Sequence, residues 1–328
     1  MLALALGRPI GAEDVDCDVE LPIDLDDDLL PDYFAGAPMA SETPSLMTGF
    51  ISLVSLYNIA GRVMRQVYGV DTADSVTDPE KRTQLQANVD ALDKELTRWL
   101  ENLPPAFKSS MINEQHMSMG AALCSHYYSV LTSLHRNLLP VRRDQSSAPR
   151  SSAKAVSSAR TCIRLAPFIK KVVPPSHHLA FFIQHLFSSA VIILLYAMHV
   201  TDPSAANSAM EEVQSCLVAL GSWEGHWPGA RKVKELLVEL VTTAREAVTT
   251  NQSTNATASG PMAPVAAATN MAFANPSVSS DKSRRHSFTA SSRAVKSKSN
   301  LRRNLSPDAG RPSRSTQAST ALRFECKC

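Results

Sequence analysis

Four histidines fall in one stretch of the chain: His177 and His178 are adjacent, His185 follows, and His199 lies further along. Imidazoles this dense would suit metal binding or proton transfer only if they shared a face. Neighbouring side chains on a helix point about 100° apart, and neither His-x-His nor His-Glu-x-x-His occurs. The pattern therefore predicts capping and core hydrogen bonding. Asp24, Asp26, Asp27 and Asp28 form an acidic run that suggests calcium. A calcium loop needs a central glycine and a closing glutamate at its twelfth position. Neither is in place, so a solvated acidic loop is expected. The six cysteines, at 17, 124, 162, 216, 326 and 328, include no Cys-x-x-Cys pair. A zinc site or redox pair is not supported, and buried thiols in a reducing compartment are expected. Gly-x-Ser-x-Gly, the phosphate-binding loop and Gly-x-Gly-x-x-Gly are all missing. No catalytic residue, cofactor site or metal site is expected within the chain, and the protein is expected not to be an enzyme.

The C-terminal stretch carries a different chemistry. Arg284-Arg285-His286-Ser287 has arginines two and three residues before a hydroxyl, the preference of basophilic kinases, and Ser306-Pro307 is a weaker, proline-directed candidate. Phosphorylating Ser287 would place about two negative charges beside a basic cluster. Lys282, Arg284, Arg285, Lys296, Lys298, Arg302 and Arg303 form a spaced basic stretch suited to nuclear import or phosphate contact. Cys326-Lys327-Cys328 resembles a double-prenylation ending, a modification that usually needs a GTPase body for recognition. The glycosylation-type sites at Asn251, Asn255 and Asn304 carry little weight, since the N-terminus lacks the basic region of a signal peptide.

The elements that position these residues are read from charge and periodicity. The 328 residues, 44% hydrophobic and 6% aromatic, allow one large domain and a tail. The first fifty residues carry a net charge of −10, residues 51–250 +3, and residues 251–328 +9. An acidic head and a basic tail suggest two surfaces with different partners. Residues 1–10 read as the last turns of a helix stopped near Gly7 and Pro9. Residues 11–45 read as an acidic loop, with alternation at Val15, Cys17, Val19 and Leu21 permitting one short extended piece. Apolar spacing then predicts helices over 45–70, 79–103, 116–139, 153–173, 179–200, 204–223 and 229–248. Residues 141–152 read as a loop, Pro167 as a kink, and Pro104-Pro105 as a stop. From 249 onward no amphipathic period remains, and the tail is expected to be disordered.

The segment 179–200 has the length of a membrane span. Gln184, His185, Ser188, Ser189, Tyr196 and His199 fall largely on one side of it, however, and a core helix can satisfy such groups better than lipid can. A buried helix is expected, with a membrane-associated helical protein anchored by residues 179–200 as the alternative.

Leu6-Gly7-Arg8-Pro9-Ile10, followed by Asp16, Asp18, Leu21 and Pro22, resembles the Leu-Gly-Arg-Pro turn and acidic "D-x-D-x-x-L-P" stretch of the fungal-specific transcription factor domain. That domain is the regulatory middle region of fungal binuclear zinc-cluster (Zn2Cys6-type) transcription factors. Later pieces keep the family's order. Leu134-His135-Arg136 precedes Leu138-Leu139, with Asn137 where proline is usual. Ser158-Ala159-Arg160 lies where the family often reads "A-A-R". Trp227-Pro228-x-Ala230-Arg231 resembles its "W-x-x-A" entry into a late helix. The resemblance covers about residues 1–248. It implies an all-α fold, an irregular bundle of about seven or eight helices between an acidic N-terminal loop and a disordered basic tail at 249–328. It implies a nuclear regulatory and interaction domain controlling RNA polymerase II transcription. The partners implied are co-regulators or the transcription machinery, with a small-molecule effector also possible in the family. An effector would be expected in an apolar groove near His185 and Tyr196. The six-cysteine zinc cluster that reads DNA in full-length members has no counterpart here. The sequence is therefore expected to be the C-terminal portion of such a domain, with zinc and DNA reading belonging to an N-terminal cluster outside it.

Overall fold

The computed structural model describes residues 3–4, 8–38, 43–69, 78–108, 113–139, 148–173 and 177–257. All lie in the larger of the chain's two units, residues 1–265 with 323–328. Among the described residues the regular elements are helical and the fold is all-α. They are α1 (Leu30–Phe34), α2 (Leu46–Val67), α3 (Pro79–Asn102), α4 (Pro105–Lys108), α5 (Glu114–Arg136), α6 (Pro149–Arg164), α7 (Ala166–Val172), α8 (His177–His199), α9 (Pro203–Trp223) and α10 (Pro228–Thr257).

Helix starts follow local chemistry. Asp78, Ser45, Asn113 and Asp202 each accept backbone N–H groups that the first turn leaves unpaired. Proline occupies an early position of α3, α6 and α9, where its missing donor costs nothing. Leu85, Val89, Leu92, Leu96 and Leu100 of α3 are all buried, as their spacing predicts. Pro167 separates α6 from α7 at Leu165 because it cannot donate to the preceding turn.

Helix α5 packs against α2, α3, α4, α6, α7 and α8. Helix α8 packs against α5, α6, α9 and α10. The two are therefore the central rods of the bundle. Gly120 of α5 admits the backbone of α4: a Cβ there would lie 2.3 Å from the Phe107 carbonyl oxygen. Phe182 of α8 meets Trp223 of α9 edge-on, with ring centroids 5.6 Å apart.

Several expectations are corrected. The predicted extended piece at 15–21 is instead a 3-10 turn at Asp14–Asp16 followed by irregular chain, and α1 interrupts the expected loop. The proline pair after α3 ends that helix, but Pro105 also opens α4. Helix α5 stops at Arg136, and residues 137–139 continue as tight turns, with Leu138 N–H bonded to the His135 carbonyl at 3.1 Å. Helix α6 begins at Pro149 rather than 153, with Ser151 already buried. Helix α10 runs to Thr257, nine residues beyond its predicted end at 248. On α2 the buried face is Leu56, Ile59, Ala60, Val63 and Val67, while Phe50, expected in the core, is 48% exposed. That helix is apolar nearly all round, so its period does not select a face. On α10 the seam is Leu237, Val241, Ala244 and Val248, narrower than expected, and Leu236 is 41% exposed.

Among the described residues, two helices are long and apolar enough to cross a membrane by length and composition, Leu46–Val67 and Ala180–His199. Over half of the most apolar window of the second is buried inside the bundle. Phe182, Leu186, Ala190 and Ile193 all face its core.

Candidate functional site

The residues of the quoted motifs fall into two groups, one exposed and one buried. Most of the exposed group lies on an acidic strap, residues 13–34, which is pinned to both ends of α2. Four of its carboxylates fix its course. Asp24 accepts from the Ser45 hydroxyl at 2.6 Å and the Thr48 hydroxyl at 2.7 Å, and Asp26 accepts from the Leu46 backbone N–H at 2.8 Å. Both therefore sit at the N-terminus of α2, where unpaired N–H groups favour negative charge. At the other end of α2, the two Arg65 Nη atoms reach Glu13 and Asp14, each at 2.7 Å. The Asp14 hydrogen bond is the largest influence raising the Arg65 pKa. Twenty-two helical residues span about 33 Å, and ten extended residues reach about the same distance. The chain between Asp14 and Asp24 thus links the two ends of α2.

Of the motif residues, Arg8 and Pro9 before the strap and Asp16, Asp18, Leu21 and Pro22 within it are all exposed. Val15 and Val19 are 91% and 87% exposed. Asp16, Asp18, Glu20, Asp27, Asp28 and Asp32 have no side-chain partner among the described residues.

The buried group surrounds Asp93. This carboxylate is 4% exposed and lies on the core face of α3. His135 Nε2 of α5 approaches one oxygen at 3.1 Å, and the Lys154 ammonium of α6 donates to the other. Burial alone would raise the Asp93 pKa, but the hydrogen bonds and charges of His135 and Lys154 outweigh it and hold it down at about 2. Next along the chain, the Arg136 guanidinium lies over the Tyr68 ring at 5.1 Å, and its Nε donates to the Tyr68 oxygen at 2.7 Å. Tyr68 in turn donates to the Ser133 carbonyl at 2.5 Å. Burial raises the Tyr68 pKa against the pull of Arg136. Asn137, in the place where proline was expected, donates to the Val67 carbonyl at 3.0 Å and so caps α2. His135-Arg136-Asn137 thereby ties the end of α5 to α2, α3 and α6.

His135 Nδ1 is buried without a hydrogen-bond partner among the described residues. No hydroxyl or thiol meets it, so the Asp93–His135 pair does not form a nucleophilic triad there. Nor do the described residues contain a cluster of three His, Cys, Asp or Glu side chains able to hold a metal ion.

The remaining motif residues are structural contacts. Ala159 is fully buried, and Ser158 accepts from Thr132 at 3.0 Å. Arg160 pairs with Glu212 at 2.8 Å and lies over the Tyr196 ring at 5.0 Å. Ala230 is fully buried, and its N–H bonds to the Trp227 carbonyl at 2.9 Å as α10 begins.

His185 and Tyr196, expected near one groove, sit in different surroundings. The two are eleven residues apart on α8, about 16 Å along the axis, and belong to different clusters. His185 meets the His126 ring edge-on at 4.9 Å, and His126 bonds to the Tyr57 hydroxyl at 2.9 Å. Burial lowers the His185 pKa to about 3, so it is neutral at physiological pH, and raises that of Tyr57. His116 bonds to the Pro44 carbonyl; half-buried His199 bonds to a carbonyl of its own helix, as expected, whereas His185 Nδ1 has no hydrogen-bond partner among the described residues.

Gly7, Ser287, Ser306, Arg284, Arg285, Lys296, Lys298, Arg302 and Arg303 lie outside the described residues. Arg65, Asp93 and Lys154 were not singled out from sequence. Asp93 did leave a signal: it falls four residues after Val89 and three before Leu96, a charge placed on an apolar face.

The chain is similar to fungal transcriptional regulators. It is 26% identical to cutinase transcription factor 1 alpha of Fusarium vanettenii over 247 residues, covering 73% of this chain and 26% of that protein. It is 23% identical to an uncharacterized transcriptional regulatory protein of Schizosaccharomyces pombe over 252 residues, 70% of this chain and 30% of that protein. A third relative, also described as a transcriptional regulatory protein of Schizosaccharomyces pombe, is 36% identical over 107 residues, 33% of this chain and 12% of its own. The chain thus spans less than a third of the length of each relative. No family model matches the chain. No solved structure matches it either.

Proposed function

We propose that this chain is a regulatory and interaction domain of a nuclear transcription factor acting on RNA polymerase II transcription. The observation that carries the reading is the similarity over 247 residues to a protein named as a transcription factor. The all-α bundle supports it, as does the placement of His135-Arg136 at a junction of four helices. On this reading the chain has no catalytic role and carries no zinc of its own. Its partners are co-regulators or the transcription machinery, and DNA is read by a zinc cluster outside this sequence. The regulatory domain ends with α10 rather than at 248, and the basic stretch beyond it serves nuclear import.

The test fuses the chain to an unrelated DNA-binding domain and measures a reporter placed under that domain's site. Reporter output is expected to rise or fall relative to the DNA-binding domain alone. Unchanged output from a fusion that accumulates in the nucleus removes the reading. A second reading, a membrane-associated protein anchored by residues 179–200, draws on the hydropathy of Ala180–His199. Carbonate extraction separates the two: release into the soluble fraction removes the membrane reading.

A further inference from the structure

The outward side of the strap joins large apolar side chains to unpaired negative charge. Val15, Val19, Leu21, Ile23 and Phe34 are exposed there, and Phe50 of α2 is exposed as well. Phe50 is the contribution of α2, whose other large apolar side chains are half-buried or buried. Exposed apolar area on this scale marks an interaction face rather than a solvated loop. Residues 13–34 contain ten acidic residues and no basic one. Four of the ten anchor the strap through Arg65 and the N-terminus of α2, which leaves six carboxylates directed to no partner among the described residues. The anchors hold the surface in a fixed course, so a partner does not have to order it on binding.

The sign of the charge selects the partner. Nucleic acid, a polyanion, is repelled. A second copy docking face to face would oppose carboxylates to carboxylates, and anionic lipid would do the same. A helix with lysine or arginine on its flanks and an apolar stripe between them satisfies both features at once. We propose that the strap and the adjoining face of α2 form a docking surface for a basic, amphipathic helical segment of a partner protein. This surface follows from charge and exposure alone and does not depend on the transcriptional role.

The test uses the full chain and a fluorescent synthetic helix of lysine and leucine at amphipathic spacing, read by anisotropy. Two companion peptides replace every lysine by glutamate or every leucine by alanine. Two sets of exposed substitutions are made: Val19→Ser with Leu21→Ser and Phe34→Ser, and Asp16→Asn with Asp18→Asn and Glu20→Gln. The expected result is binding of the lysine–leucine peptide that weakens with salt and falls by about tenfold or more in each variant. Circular-dichroism melts should be unchanged, since every altered side chain is exposed. Equal affinity in the variants would place the peptide elsewhere and overturn the proposal. Equal binding of the glutamate or alanine peptide would overturn it too, leaving apolar adhesion or charge alone as the cause. A dimer in sedimentation that the serine substitutions dissolve would make a second copy the occupant.

Discussion

Carboxylates anchor two regions of this molecule in opposite ways. Glu13 and Asp14 hold the strap to Arg65 at the surface, with all three side chains at least a third exposed. Asp93 holds α5 and α6 to α3 from inside: its carboxylate and His135 have almost no solvent contact, while Lys154 is about a third exposed. The interaction chemistry is nearly the same. Water screens the first and competes for it, so the strap is positioned without being welded down. Asp93 itself has almost no water to fall back on, so its loss leaves the Lys154 ammonium without its counter-charge and His135 without its buried partner. The comparison teaches that position relative to solvent decides whether an acidic residue specifies a fold or presents a surface.

The largest effect expected from breaking this contrast is at Asp93. Asp93→Ala strands His135 in the core and should cost about 3–5 kcal/mol of stability, measured by urea denaturation. A loss within about 1 kcal/mol, the size of a surface pair, would mean that the two regions do not differ.

Acid sharpens the same contrast. Asp93 has a folded pKa of about 2, below its ordinary 3.8. Its contribution is therefore fully present above pH ~4 and is lost as pH falls toward ~2, roughly 2 kcal/mol in all. Unfolding free energy followed between those limits should show this decline, and Asp93→Asn should flatten it.

Arg65→Ala comes next. Global stability should shift by less than about 1 kcal/mol, while limited proteolysis should cut the strap between residues 8 and 24 much faster. Equal cleavage rates would show that Arg65 does not pin it. The smallest effect belongs to Leu21→Ser, which should leave the melting transition unchanged within about 0.5 kcal/mol.

How much of this was legible in the sequence varies by element. Helix α3 was fully readable, because its leucines alternate with charges and Asp78-Pro79 marks its start. Helix α2 was located but not oriented, since an almost wholly apolar helix offers no polar face to read. The start of α6 was hidden in a serine-rich run, where Pro149 works as a first helical residue and Ser151 turns inward. Residues 249–257 lack an apolar stripe, yet they prolong a helix that already exists, and extension needs no new nucleus. The strap was recognised as acidic, but its course rests on Arg65 and Ser45, tens of residues away, which no local pattern encodes. Likewise, the resemblance marked His135 without naming Asp93 or Lys154, whose meeting with it depends on three helices packing together.

Buried sulfur gives the molecule a chemical stopwatch. Cys124, Cys162 and Cys216 are buried while Cys17 is exposed. Burial pushes the thiols of Cys162 and Cys216 up to about 12, so the reactive thiolate is scarce as well as shielded. An alkylating reagent should mark Cys17 at once and reach Cys162 and Cys216 only as fast as α6, α8 and α9 part. Mass spectrometry of timed samples would then record how often the centre of the bundle opens, with no residue substituted.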